Sequence, residues 1–202
     1  MIEATYPDVR EAREAATAAI LVALFADQQF DVLVAGRILG KRWDARLARE
    51  FYAANMVTAT RYGDRVADEL AAVWEPALMA AWLTINSELG ARAINDSTRA
   101  ALAGAADAEA RAAVFAQLET AAQGYARSAV TTAGMLGSHD AARSGGCKRK
   151  TWLAAAGSRR HRSLSGVSVP IEATFGNGMR GPGDPAGGAA QVANCGCSLG
   201  YD

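Results

Sequence analysis

Residues 43 to 73 read WDARLAREFYAANMVTATRYGDRVADELAAV. Leu47, Phe51, Ala54, Val57, Thr58 and Tyr62 return every three or four residues, the spacing that gathers side chains on one face of a helix. No proline interrupts the stretch, and alanine, arginine and glutamate favour helix. The pattern predicts one long amphipathic helix from Trp43 to Val73, with Gly63 as the place for a kink.

The same reading extends on both sides, from Pro7 to about Ala142. Pro7 suits a first helical turn, and Asp8, Glu11 and Glu14 suit its positive end, so a helix is expected to run to about Ala26. Its buried stripe is read as Ala18, Leu21, Val22 and Phe25. Further helices are expected at Pro76 to Leu89, at Ser97 to Leu102 and at Ala108 to Leu136, the last capped by Asp107. Trp74, Trp82, Phe115, Leu118 and Tyr125 then face a core, as periodic apolar positions usually do.

At Ser144-Gly145-Gly146 the character changes. Glycine and proline become frequent, helical periodicity ends, and β-branched alternation appears at Val167-Ser168-Val169. Gly176-Asn177-Gly178 and Gly181-Pro182-Gly183-Asp184-Pro185 supply turn chemistry. The expected fold class is therefore α+β, mainly α. Residues 1–144 form a bundle of long helices, and residues 145–202 form a small turn-rich domain with short strands.

At 202 residues, 50% of them hydrophobic, the chain can bury a sizeable core. Residues 1–145 hold fourteen Lys/Arg against eighteen Asp/Glu, and residues 146–202 seven against three. A basic C-terminal end suits an acidic partner or nucleic acid without demanding either. Cys147, Cys195 and Cys197 are too few for a secreted disulfide framework, which points to a reducing cytoplasm. The most apolar run, Ala15 to Phe25, is shorter than the ~20 residues that cross a bilayer, so no membrane partner is expected.

Gly181 to Gly188 lacks the Lys-Ser/Thr ending of a phosphate loop. Ser138-His139-Asp140 has the residue types of a hydrolase triad, but adjacent helical residues project in different directions. His161, Cys195 and Cys197 combine imidazole and thiolates suited to a structural zinc, with Asp184 or Cys147 available as a fourth ligand. Against that stands a bland reading, with two buried thiols and a hydrogen-bonded core histidine. Zinc deaminases also join one His to two Cys, but they place a Glu two residues after the His, where this chain has Ser163. With Glu172, Asp184 and Asp202 as the only C-terminal carboxylates, no catalytic residue is assigned and no enzyme is expected.

Taken in order, Lys150-Thr151-Trp152, Ser158-Arg159-Arg160-His161, Leu164, Gly166, Val169-Pro170, Phe175, Gly178 and Met179-Arg180 resemble the phage Mu F-like minor head protein family. The series continues through Pro182-Gly183-Asp184-Pro185, Gly187-Gly188 and Val192 to Asn194-Cys195-Gly196-Cys197, close to that family's Asn-Cys-x-Cys signature. The resemblance spans roughly residues 125 to 200. Gly196 stands where relatives often have Arg or Gln, and Arg160-His161-Arg162 is more basic than usual.

The resemblance implies a low-copy phage head protein, made in the host cytoplasm and carried in the virion. Such a protein meets the portal and other head proteins and aids assembly, DNA packaging or ejection. In that setting Trp152 anchors a small core, His161, Gly166 and Asp184 belong to the structural signature, and Asn194 ties its side chain to nearby backbone. Arg159, Arg160 and Arg162 are candidates for binding phosphate of viral DNA or an acidic portal surface. Exposed apolar surface around Trp74 and Trp82 would suit a ring-shaped partner or self-association. Two other readings stay open: a zinc-stabilised nucleic-acid-binding module, and a degenerate toxin-like transferase acting through Glu172 and His161.

Overall fold

The computed structural model describes residues 1–37 and 39–202, without the side chain of Leu78. It is mainly helical with one small sheet, the expected α+β class. Strand β1 (Ile2–Glu3) precedes helix α1 (Pro7–Gln29), which widens into a π-helical turn at Phe30–Val34. Helices α2 (Lys41–Leu70), α3 (Ala80–Gly104) and α4 (Ala108–Ser144) complete the bundle. Strand β2 (Arg149–Leu153), strand β3 (Ser168–Pro170), the single-turn helix α5 (Ala189–Val192) and strand β4 (Ser198–Tyr201) follow.

Helix starts obey local chemistry. Pro7 occupies the first turn of α1 with Asp8 beside it, and Asp107 caps α4 by accepting the Ala110 N–H at 2.8 Å. Ends and faces needed tertiary context. Leu24, Thr17 and Gln28 join Leu21 and Phe25 on the buried face of α1, while Val22 points to solvent, so the expected stripe is rotated. Val57 is likewise exposed.

The segments expected at Pro76 to Leu89 and Ser97 to Leu102 are one helix, α3, preceded by a 3₁₀ turn at Pro76–Met79. Its polar middle stays helical because Asn95 is buried and bonded. Gln28 Nε2 donates to Asn95 Oδ1 at 3.1 Å, Asn95 Nδ2 donates to Asp44 Oδ1 at 2.8 Å, and Arg99 clasps both Asp44 oxygens. This chain of bonds joins α1, α2 and α3 through a polar network that satisfies both ends of the Asn95 amide, while Gln28 Oε1 has no partner among the described residues.

Helix α1 with its π turn, Pro7–Val34, contains an 18-residue window of mean hydropathy 1.5. By length and composition it can cross a membrane, so the apolar run is longer than Ala15 to Phe25. In the fold its Leu21, Leu24 and Phe25 pack with Trp43, Leu47, Phe51, Ile94, Phe115 and Leu118. Fully burying such a side chain contributes about 1.5–3 kcal/mol.

Gly63 does not interrupt α2. Its missing Cβ makes room for the Trp74 ring, which would lie 2.0 Å from an added Cβ. Trp74 also donates to Asp140 Oδ2 at 3.0 Å, and Arg180 lies over Trp82. The two tryptophans are therefore half-buried contacts rather than a free apolar face. Val73, Val34, Phe30, Ile85 and Leu89 are the more exposed apolar side chains of the helical part, with Met1 exposed at the start of the chain.

The sheet is antiparallel, in the order β1-β4-β2-β3. Strand β4 lies between β1 and β2, with Tyr201 opposite both Ile2 and Lys150. Under the sheet, Trp152, Phe175, Met179, Leu199 and Tyr201 share one core with Tyr62 and Val66 of α2 and Met135, Ala141 and Ala142 of α4. Secondary structure switches at Ser144, and the core crosses that point.

The crossing of α2 and α4 is set by Gly137, where an added Cβ would lie 1.9 Å from the Ala59 carbonyl oxygen. Gly137→Ala should lower stability by about 1–3 kcal/mol, since a backbone atom cannot move aside. Gly124 lies in the same helix with nothing near its missing Cβ. Gly124→Ala should raise stability by about 0.5–1 kcal/mol through helix propensity. Urea unfolding of the two variants checks this, and equal effects would sink the crossing argument.

Candidate metal centre

Trp152 lies fully buried in β2, and its flanks determine where His161 goes. Its backbone N–H donates to Val167 O at 3.0 Å and its carbonyl accepts the Gly166 N–H at 2.9 Å, so residues 154–165 form a loop that returns to the strand. Gly166 closes that loop at φ 78°, a conformation that costs glycine little. His161 then packs edge-on against the Trp152 ring at 5.0 Å, and Phe175 covers the same indole at 5.0 Å.

The Cys195-Gly196-Cys197 turn leads into β4 beside it. Its backbone is gripped by the bundle. Arg10 of α1 donates to Gly196 O at 2.6 Å and to Cys197 O at 3.2 Å, and Thr131 of α4 donates to Cys195 O. The preceding Asn194 takes φ 55°, and its N–H donates to Ser128 Oγ at 2.8 Å. Its side chain is exposed and makes no hydrogen bond among the described residues, so the expected side-chain tie is replaced by a backbone one.

Both thiols reach the same imidazole nitrogen. Cys195 Sγ lies 3.6 Å and Cys197 Sγ 3.5 Å from His161 Nδ1, and all three groups are buried. A tetrahedral ion with metal–S about 2.3 Å and metal–N about 2.0–2.1 Å places S and N about 3.5–3.6 Å apart. Both S–N separations therefore match a coordination shell, and these three residues, whose ligand atoms all lie within 4.8 Å of one another, can hold a metal ion. The far nitrogen, His161 Nε2, pairs with Gln191 Oε1 at 2.9 Å. With the proton on Nε2, the Nδ1 lone pair faces the thiols, the orienting role that an outer partner plays around metal-bound histidines.

The two thiols are pushed in opposite directions. Cys197 is held below the ordinary thiol range, first by its pairing with Cys195, against burial. Cys195 is pushed up by the same pairing and by burial. A divalent ion would displace thiol protons, since thiolates are the ligating form.

The fourth-ligand expectations are not met. Neither Cys147 nor Asp184 belongs to the converging set. Cys147 packs in the core under the sheet. Asp184 is buried and fully engaged: Oδ2 accepts from the Arg180 N–H at 2.8 Å and Nε at 3.1 Å, and Oδ1 accepts from the Ala186 N–H at 3.1 Å. Despite the cost of burial, those bonds hold its carboxyl below the ordinary range. It is the anchor of the glycine-proline turn.

The three arginines divide. All are exposed, but Arg160 donates to Ala190 O at 2.7 Å and to Ala193 O, bracing α5. Arg159 and Arg162 have no ion-pair or hydrogen-bond partner among the described residues. Ser138, His139 and Asp140 diverge as expected. Ser138 pairs with Tyr201 Oη at 2.9 Å, and Asp140 with Trp74.

Gln191, Arg10, Ser128 and Thr131 were not singled out from sequence. Arg10 lies 186 residues from Gly196, and no local pattern links them. Beside the cluster is a cavity of about 570 Å³, whose walls include His161, Cys195, Ser158, Glu14, Arg127 and Arg159. A larger groove of about 1060 Å³ between α2 and α3 centres on the Asp44–Arg99 pair and is remote from this chemistry. Compared with known proteins, the chain matches no protein-family model, no curated protein and no solved structure.

Gln191→Ala should weaken metal binding about 10- to 100-fold by freeing the His161 ring. Competition with a chromophoric chelator measures it, and unchanged affinity would remove Gln191 from the site. Separately, burial and then the Lys150 charge hold the His139 imidazole at about 4, against an ordinary 6.5. Between those values the unfolded chain binds the proton and the folded chain does not, so stability falls as pH drops from 6.5 towards 4. The loss should reach about 3 kcal/mol more in the wild type than in His139→Gln, by urea titration at each pH. Parallel curves would refute it.

Proposed function

We propose that this chain is a head-assembly protein of a tailed bacteriophage, carried in the virion, with a zinc ion held by His161, Cys195 and Cys197. One observation carries the reading. Among the residues that resemble the Mu F-like signature, Trp152, His161, Phe175, Met179, Asp184, Cys195 and Cys197 are buried, although they are widely separated along the C-terminal segment, while Arg159, Arg160, Gly166 and Asn194 are exposed. Most of the buried ones lie in a single core with α2 and α4. A sequence pattern that specifies a packed scaffold suits docking and assembly better than turnover.

Zinc is the ion that two thiolates and an imidazole at tetrahedral spacing favour. It would join the loop before His161 to the turn before β4. The exposed Val73, Phe30, Val34, Ile85 and Leu89 leave apolar positions on the helical part for the portal and other head proteins. In this reading the chain aids assembly, DNA packaging or ejection and catalyses no reaction.

A nucleic-acid-binding module has narrower support, since Arg160 is spent on α5 and leaves Arg159 and Arg162 for phosphate. The transferase reading has less again. Glu172 is exposed, lies 4.0 Å from Arg143, and does not line the cavity beside His161.

Joint expression with the portal protein of the same phage should give a complex of defined mass, with one zinc per chain by metal analysis. Cys195→Ser with Cys197→Ser should lose the zinc. Absence of a complex would overturn the docking role, and absence of zinc in freshly purified protein would overturn the metal.

A further inference from the structure

We propose that the metal's fourth coordination position opens onto the 570 Å³ cavity and binds an oxygen of a phosphate monoester or of inorganic phosphate. The inference rests on the metal assignment above and goes beyond it to a ligand. Three protein atoms converge, and no aspartate or glutamate oxygen among the described residues joins them. Zinc takes four ligands, and a three-ligand protein site leaves the fourth position to water or an exchangeable ligand.

Two of the three ligands, His161 and Cys195, are in the cavity wall. Ser158 shares that wall, with its Oγ 3.9 Å from Cys197 Sγ, close enough to hydrogen-bond an oxygen on the metal. The cavity falls within the volume range of small-molecule sites, so it has room for an organic group beyond the phosphate.

Charge selects the ligand class. Arg10, Arg127, Arg159 and Arg160 line the cavity against Glu11 and Glu14. Arg10 and Arg160 are committed to backbone carbonyls. Arg159 is uncommitted among the described residues, and Arg127 makes only a 3.5 Å contact to Glu14. Guanidinium groups around an open metal position favour a phosphoryl group, which they can hold through paired N–H donors.

Glu14 narrows the class further. It is 7% exposed, and its Oε1 has no hydrogen-bond partner among the described residues. A buried carboxylate oxygen needs a donor. A monoester or inorganic phosphate carrying one proton supplies a P–OH, whereas a phosphodiester of nucleic acid has none to give.

The test uses the full chain with cobalt(II) in place of zinc, titrated with inorganic phosphate while the visible ligand-field bands are recorded. Phosphate should shift the bands saturably, and Arg159→Ala should weaken that response about tenfold, the loss of one charge-assisted contact. Absence of any thiolate–cobalt spectrum would overturn the metal assignment itself. A normal thiolate–cobalt spectrum that phosphate leaves unmoved would overturn the open position while the metal stands. An equal shift with acetate, or a stronger one with a short single-stranded oligonucleotide, would overturn the monoester assignment.

Discussion

Helix α4 presents four hydroxyls on the side that carries the C-terminal segment, and the arrangement of that segment follows from them. Ser128 Oγ accepts the Asn194 N–H, Thr131 donates to Cys195 O, Thr132 donates to Gly183 O at 2.9 Å, and Ser138 pairs with Tyr201. These contacts lie across three turns of one helix and fix in turn the Cys-x-Cys turn, the glycine-proline turn and the last strand. Backbone carbonyls in turns have no ladder to bond to, and leaving them unpaired under a helix would cost free energy comparable to a lost hydrogen bond. Gly183 allows the close approach: an added Cβ would lie 2.6 Å from Thr132 Oγ1, and its φ is 79°.

The stripe also explains what was legible. Helices α1, α2 and the start of α4 were readable because their buried faces are made of Leu, Phe and Tyr at helical spacing, and because Pro7 and Asp107 mark their starts chemically. The end of α4 was not. Beyond Leu136 its buried residues are Gly137, Ser138, Ala141 and Ala142, small groups that face other backbone and carry no apolar signal. Asn95 misled in the same way, since a buried asparagine inside α3 reads as a break until Gln28 and Asp44 are seen to satisfy it. The rotated face of α1 has a similar origin. Gln28 and Thr17 are buried by polar or close-packed partners, so hydrophobicity alone pointed one position away, to Val22.

Within the candidate site, residue types were legible and partnerships were not. His161, Cys195 and Cys197 stood out as metal-binding types, and the fold brings their ligand atoms together. The orienting Gln191 and the backbone clamps from Arg10 and Thr131 are long-range contacts with no local pattern. Asp184 was read both as part of the structural signature and as an available fourth ligand, because a carboxylate's bonding partners are not visible in sequence. Only the structure shows both of its oxygens already occupied by Arg180 and Ala186.

A metal at this place would answer a weakness in the C-terminal segment. Its strands are three to five residues long, β1 adds only two more, and much of the remaining chain is turn. Such strands supply few ladder bonds, and the segment relies on the bundle for half its core. His161 and Cys195 are 34 residues apart, with β3 and both glycine-rich turns between them. An ion joining them would close a long loop, and closing a long loop removes more freedom from the unfolded chain than closing a short one. Thr131 and Arg10 hold the Cys-x-Cys turn by its carbonyls and leave the thiols free to point inward. The clamp and the ligands therefore use different atoms of the same three residues, so that the bundle can position the thiols without competing for them.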